Sequence, residues 1–127
     1  MIARPDTEAA WVAWFKAGGF TKASTRLSRD HSDGMIRVSR VGGVRVNLVQ
    51  DSPTMLIEVW HRDAYKASQE AHRLADHAET ALDGTMLDDK TRVARVQTTG
   101  PLEFPDPSSA LVRYQFTLTC LIRRVRA

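Results

Sequence analysis

The amino-acid sequence predicts an α+β fold: one mainly antiparallel β-sheet with two α-helices packed on one face. Three observations favour it. The chain has 127 residues, a length typical of one domain. Apolar and polar side chains alternate over residues 112–122, which is the period of a strand with one buried face. Residues 64–82 are rich in alanine and carry apolar side chains at helical spacing. We expect a helix to lie close against a sheet through these small side chains.

The chain is predicted to form a single domain over residues 1–127, with four parts. These are an N-terminal helix (1–19), a polar loop (20–34), the sheet with its central helix (35–122) and a short basic tail (123–127).

Residues 7–17 are predicted to form the first helix. Asp6 or Thr7 can cap its start, and Gly18-Gly19 can end it. Trp11, Trp14 and Phe15 fall on one side of this helix. We interpret this aromatic stripe as core; the alternative is a patch that docks on a neighbouring subunit. The polar segment that follows is predicted to be a long loop, of the kind that is often functional or ordered by a partner.

Residues 35–41 and 44–49 are predicted to be strands, joined at Gly42-Gly43 by a hairpin or a bulge. In this arrangement one sheet face carries Arg37 and Arg45, and the valines at 44 and 46 face the core. Asp51-Ser52-Pro53 is predicted to turn the chain. The strand after it, up to residue 60, is apolar on both faces and is predicted to be central.

Asp63 is predicted to cap the second helix, residues 64–82, and Gly84 to end it. A short strand near residues 92–98 and a proline-rich exposed loop at 100–107 follow. Alternation in the last strand places Cys120 on its buried face. We therefore interpret Cys120 as a small core residue rather than a nucleophile.

Charge is unevenly distributed along the chain. Residues 20–50 hold six basic and two acidic side chains, a net of +4, and residues 51–110 hold six basic and eleven acidic ones, a net of −5. Residues 111–127 add four arginines and no acid. Such polarity suits head-to-tail contacts between copies of one chain. The alternative is a solvated surface with charges clustered by chance.

Motifs of enzyme chemistry and of membrane insertion are missing from the sequence. His72 and His77 are five residues apart, which is not the spacing of a zinc-binding helix, and no phosphate loop or nucleophile elbow is present. We expect no catalytic residue, metal or other cofactor, and no contact with a membrane. The N-terminus lacks the pattern of a secretion signal.

Several short motifs lie in a characteristic order between residues 35 and 122. They are Val41-Gly42-Gly43, Asp51-Ser52-Pro53, Ile57-Glu58-Val59-Trp60, Gly100-Pro101, Pro105-Asp106 and Arg113-Tyr114-Gln115-Phe116. With these motifs the chain resembles the tail terminator proteins of siphophages, the phages with long non-contractile tails, and in particular those of actinobacterial phages. This family is also described as head–tail joining or minor tail proteins.

The resemblance implies a structural protein that forms a homohexameric ring on the tail tube, ends tube polymerisation and provides the head-attachment surface. Its implied partners are other copies of itself, the tail tube protein and a head-completion or neck protein, while DNA passes through the lumen without specific binding. It implies assembly in the host cytoplasm and a place in the virion at the head-proximal end of the tail.

Candidate subunit or tube contacts are the loop at 21–33, the hairpin arginines and the loop at 101–107. Individual candidates are Arg26, Arg29, Arg37, Arg40, Arg45 and Asp106. Two other functions remain open. One is a head-completion or adaptor protein of the phage neck. The other, from a different class, is a small basic nucleic-acid-binding module whose arginines follow phosphates.

Overall fold

The computed structural model describes residues 6–26, 33–47 and 49–125, and it confirms the α+β class. The elements are α1 (Thr7–Ala17), β1 (Ala23–Ser24), β2 (Met35–Arg45), β3 (Gln50–His61), α2 (Ala64–Glu79), β4 (Thr91–Thr98), β5 (Leu102–Glu103) and β6 (Val112–Arg124). The strand order is β1-β2-β3-β6-β4, and β5 pairs with β6. All pairs are antiparallel except β1 with β2. Both helices pack on one face of the sheet; the opposite face is called the open face below.

Helix α1 begins where the Asp6 carboxylate accepts a hydrogen bond from the Ala9 N–H at 3.0 Å. Trp11 and Phe15 are fully buried and Trp14 is half-buried against the same core. The interpretation of the aromatic stripe as core is confirmed. Trp14 and His77 also join the two helices: the Trp14 indole N–H donates to the His77 carbonyl at 3.1 Å, and the two rings stack with centroids 5.0 Å apart.

Helix α2 begins at the predicted cap, because the Asp63 carboxylate accepts from the N–H groups of Tyr65 and Lys66. Its buried side is built from Leu74 and small residues, as predicted; the buried positions are Ala67, Ala71, Leu74, Ala75 and Ala78. The predicted end at Leu82 is wrong. The helix stops at Glu79, where the Thr80 hydroxyl donates to the His77 carbonyl, and Leu82 is exposed.

The predicted hairpin at Gly42-Gly43 is wrong, and the alternative of a bulge is confirmed. Strand β2 runs through both glycines, and its register with β3 shifts between Arg40 and Gly42. The extra residue reverses the alternation of side chains beyond it. Val44 therefore lies opposite Ser52 on the open face and is exposed, instead of facing the core as predicted.

The predicted turn at Asp51-Ser52-Pro53 is also wrong, because these residues belong to β3. The chain turns earlier, where the Asn47 side-chain oxygen accepts from the N–H groups of Val49 and Gln50. Ser52 and Pro53 are not paired with β6, although Asp51 and Thr54 on either side are. The missing N–H of Pro53 therefore removes no hydrogen bond from this ladder.

The remaining boundaries differ from the predictions at four places. Part of the predicted loop at 100–107 forms β5, which pairs with β6. Part of the predicted loop at 20–34 forms β1, which pairs with Ile36 and Arg37 of β2. The predicted strand at 92–98 is β4 and starts one residue earlier, at Thr91. Strand β6 includes the predicted residues 112–122 and continues into the predicted basic tail as far as Arg124, since Thr91 pairs with it there.

Candidate functional site

The predicted contact residues do not converge on one site. Arg26 is exposed just after β1, and Arg29 lies outside the described residues. Arg37 and Asp106 share the end of the open face near the start of β6. Arg40 and Arg45 flank the bulge of β2, further along the same strand.

Arg37 is one half of a buried ion network centred on Glu58, which the sequence did not predict. The Glu58 carboxylate is 1% exposed on the open face, between two arginines. The Arg37 guanidinium lies 2.7 Å from one carboxylate oxygen, and that of Arg113 lies 3.2 Å from the other. Because both arginines compensate a buried charge, Arg37 serves the fold first, and its capacity to bind an external anion is reduced.

Trp60 extends this network to the loop that precedes β6. Its ring is fully buried on the open face, with the guanidinium carbons of Arg37 and Arg113 at 5.7 and 5.9 Å from the ring centroid. The Trp60 indole N–H donates to the Asp106 carboxylate at 2.9 Å, and Arg113 donates to the carbonyls of Phe104 and Pro105, each at 3.0 Å. The loop is therefore fixed across this end of the open face.

Asp106 provides a test of this arrangement by pH. Hydrogen bonds from the Ser108 hydroxyl, the Trp60 indole and the Ser108 N–H lower the pKa of Asp106 to about 2 from its ordinary 3.8. A carboxyl group with a lowered pKa in the fold contributes stability that is complete above its unfolded pKa and disappears as the pH falls through the folded one.

We therefore expect the stability advantage of the wild type over Asp106→Asn to be constant at pH 5–7 and to shrink from pH 4 to pH 2. Urea unfolding followed by tryptophan fluorescence measures it. Asp76→Asn, at an exposed position of α2 where the side chain has no hydrogen bond among the described residues, controls for the loss of one charge. An advantage that stays constant down to pH 2 would contradict the assigned bonds.

Arg40 is engaged with a second buried acid. Its guanidinium binds both oxygens of Asp51, which is 2% exposed, with one N–O distance of 2.9 Å. The hydrogen bond to Asp51 raises the pKa of Arg40 above its ordinary value. The Arg40 N–H donates to the Glu8 carboxylate and its side chain to the Gly42 carbonyl, each at 3.0 Å. Arg40 thus fastens α1, the bulge and β3 together.

Five of the seven large apolar side chains that are exposed among the described residues form two clusters at opposite sides of the sheet. Val41, Val44 and Val46 are 56, 71 and 54% exposed at and beyond the bulge of β2. Leu102 and Phe104 are 70 and 53% exposed in and after β5, which pairs with β6 on the side away from β3. Clusters of exposed apolar side chains are typical of surfaces that bind another protein.

The cysteine and the histidines His61 and His77 pack or form hydrogen bonds within the fold. Cys120 is 2% exposed, as predicted for a core position, and burial raises the pKa of its thiol to about 12. His77 contacts Trp14, and the imidazole of His61 accepts from the Asp63 N–H at 3.0 Å. Within residues 6–26, 33–47 and 49–125, no group of three or more His, Cys, Asp and Glu side chains is arranged to hold a metal.

A cleft of about 500 Å³ lies between the turn after α1 and the start of α2. Two of the three Lys and Arg side chains that line it within the described residues have neighbours of their own: the Lys22 ammonium donates to the Asp33 carbonyl, and Arg73 lies 3.3 Å from Glu70. The third is Lys66, and Glu70 is the one acid of this lining.

No protein-family model matches the chain, and no curated protein matches it. Neither helix in the part of the chain that the structure describes is long and apolar enough to cross a membrane.

Proposed function

We propose that the protein is a structural subunit that assembles head-to-tail into a ring, and that this ring is a phage tail terminator. It caps the tail tube, ends tube polymerisation and offers the surface to which the head attaches. Its partners are other copies of the chain, the tube protein and a head-completion protein. Its place is the head-proximal end of the tail in the virion.

The observation that carries the proposal is the pair of exposed apolar clusters at opposite sides of the sheet, one near β2 and one at β5. A contact between two different surfaces of identical chains is heterologous, and such contacts generate closed rings when the rotation between copies closes. The resemblance of residues 35–122 to tail terminators then gives the ring its place on the tube.

The ion pairs of the arginines support a ring lumen that does not bind DNA tightly. Arg37 and Arg113, on the open face, bind the buried Glu58, and Arg40, on the face that the helices cover, binds the buried Asp51, so these three cations are internally compensated. A nucleic-acid-binding module needs cations that are available to phosphates, and base stacking needs exposed aromatic rings. Trp60, the ring that lies against Arg37 and Arg113 on the open face, is buried, and the exposed rings of Tyr65 and Phe104 lie outside the central strands of the sheet.

The first test is absolute mass by light scattering over a concentration series, with negative-stain images of each large species. We expect rings of about 85 kDa, six chains of 14.2 kDa, either free or on purified tail tubes. Tail tubes polymerised in the presence of the protein should stop growing once a ring caps their end, and a head-completion protein should bind the capped end.

Other outcomes point to other functions. Rings that do not bind the tail tube but bind the portal side of the head would indicate a neck adaptor. A monomer with DNA affinity that falls steeply with added salt, and with no effect on tube growth, would contradict the proposal and favour a nucleic-acid-binding module.

A further inference from the structure

The valine surface, defined as Val41, Val44 and Val46, lies on an edge of β2 with which no strand of the described residues pairs beyond Arg40. Strand β1 pairs only with Ile36 and Arg37. Helix α1 reaches the edge at Arg40, whose N–H donates to Glu8. The next four residues, 41–44, are all exposed. An open edge with exposed β-branched side chains favours pairing with a strand of another chain.

The β5 surface, defined as Leu102, Glu103 and Phe104, has an edge that is likewise unpaired within the part of the chain that the structure describes. Strand β5 has two residues, which pair with Gln115 and Tyr114 of β6 on one side, and all three side chains of the surface are exposed. The segment is nevertheless held in place. The Phe104 N–H donates to the Arg113 carbonyl at 2.9 Å, and the Arg113 guanidinium lies 5.4 Å from the Phe104 ring centroid. A surface fixed before binding loses little entropy when it docks.

The two surfaces complement each other in charge. Arg45 lies beside the valine surface, and the exposed Glu103 belongs to the β5 surface. The other charged groups of residues 37–46 and 101–107, which are Arg37, Arg40 and Asp106, are bound within the chain. Within one chain the surfaces lie at opposite edges of the sheet and cannot meet. Between two copies they can, with apolar groups at the centre and opposite charges around them.

We infer that the valine surface of one copy packs against the β5 surface of the next copy, with Arg45 near Glu103. The occupant of each surface is thus a second copy of this chain. The inference rests on the proposed ring and specifies its subunit interface. Repetition of the contact uses both surfaces of every copy in a closed ring.

The test compares the variants Val44→Asp and Leu102→Asp with the control variant Leu82→Asp. The measured quantity is the protein concentration at which half of the chains are in rings or, if rings form only on tubes, the fraction of tubes that are capped. Each change introduces one negative charge at a side chain that is 70 or 71% exposed. We expect the first two variants to need at least about tenfold more protein and Leu82→Asp to behave as wild type. Equal thermal unfolding midpoints confirm that all three variants fold.

A charge exchange makes the test more specific. Arg45→Glu and Glu103→Arg should each weaken assembly about threefold or more, because each places like charges across the contact. An equimolar mixture of the two variants, or the double variant, should recover wild-type assembly, since every contact again joins opposite charges. Failure of both to recover it would overturn the pairing of these two surfaces.

The remaining outcomes separate this inference from the proposed function. Wild-type rings that Val44→Asp and Leu102→Asp leave intact would overturn the interface and leave the terminator proposal standing. Intact rings of these variants that no longer cap tubes would assign the surfaces to the tube protein and overturn the copy-to-copy contact. A wild type that forms no ring in solution or on tubes would overturn both.

Discussion

Replacement of Arg113 by methionine should lower the free energy of unfolding by about 3 kcal/mol, the scale measured when one partner of a buried ion pair is removed. Glu58, which is 1% exposed, would keep just one of the two arginines that contact it among the described residues, Arg37. The carbonyls of Phe104 and Pro105 would also lose their donor. Urea unfolding at pH 7, followed by the fluorescence of the buried tryptophans, measures the change.

Arg123→Met is the matched control, because Arg123 lies on the same strand and face but is exposed. We expect it to change the stability by less than about 0.5 kcal/mol. The double variant Glu58→Met/Arg113→Met should be more stable than the sum of its single changes predicts, since it removes the buried charge together with its partner. Additive effects, or equal losses for Arg113→Met and Arg123→Met, would show that Arg37 alone compensates Glu58.

The parts of the fold that the sequence predicts best are those with a sustained local period. Alternation over eleven residues locates β6, and helical spacing of alanines locates the buried side of α2. The aromatic stripe at Trp11, Trp14 and Phe15 is correctly placed in the core for the same reason. In each case one face must be buried, and burial favours a single periodicity.

The errors occur where a distant contact overrides a local signal. Gly42-Gly43 and Asp51-Ser52-Pro53 are both strong turn signals. In the structure, however, the two segments lie in paired strands, where Gly43 is opposite Pro53 and the bulge of β2 comes just before this pair. The exposure of Val44 follows from the bulge, and no local pattern predicts its side of the sheet.

The candidate site shows the same limit. The arginines and Asp106 are recognisable as polar groups on a sheet and a rigid loop, but their partners are distant in sequence. Trp60 and Asp106 are 46 residues apart, and Glu58 and Arg113 are 55 apart. A buried acid between two arginines requires three strands to be in register, which composition and spacing do not reveal. The exposed clusters at Val44 and Leu102 become visible only when the sheet order is known.

Replacement of Gly43 by alanine should lower the free energy of unfolding by about 3 kcal/mol, from two causes that add. Gly43 has a φ of 104°, a conformation that L side chains rarely adopt. A Cβ there would also lie 2.3 Å from the Ser52 carbonyl oxygen and 2.6 Å from the Pro53 Cα, both in the β3 backbone. A backbone cannot rotate aside as a flexible side chain can, so the ladder itself must shift.

Two other glycines separate these causes in urea unfolding experiments. Gly19 has a φ of 98° with open space around it, so Gly19→Ala should show strain alone, about 1 kcal/mol. Gly42 has no positive φ, and the nearest atom to an added Cβ is 4.0 Å away, so Gly42→Ala should stay within about 1 kcal/mol of wild type. Equal losses for Gly43→Ala and Gly19→Ala would mean that β3 moves away at little cost. If β3 instead resists, the bulge is a rigid device that holds Val44 on the open face, and Gly43→Ala should weaken ring assembly as well as folding.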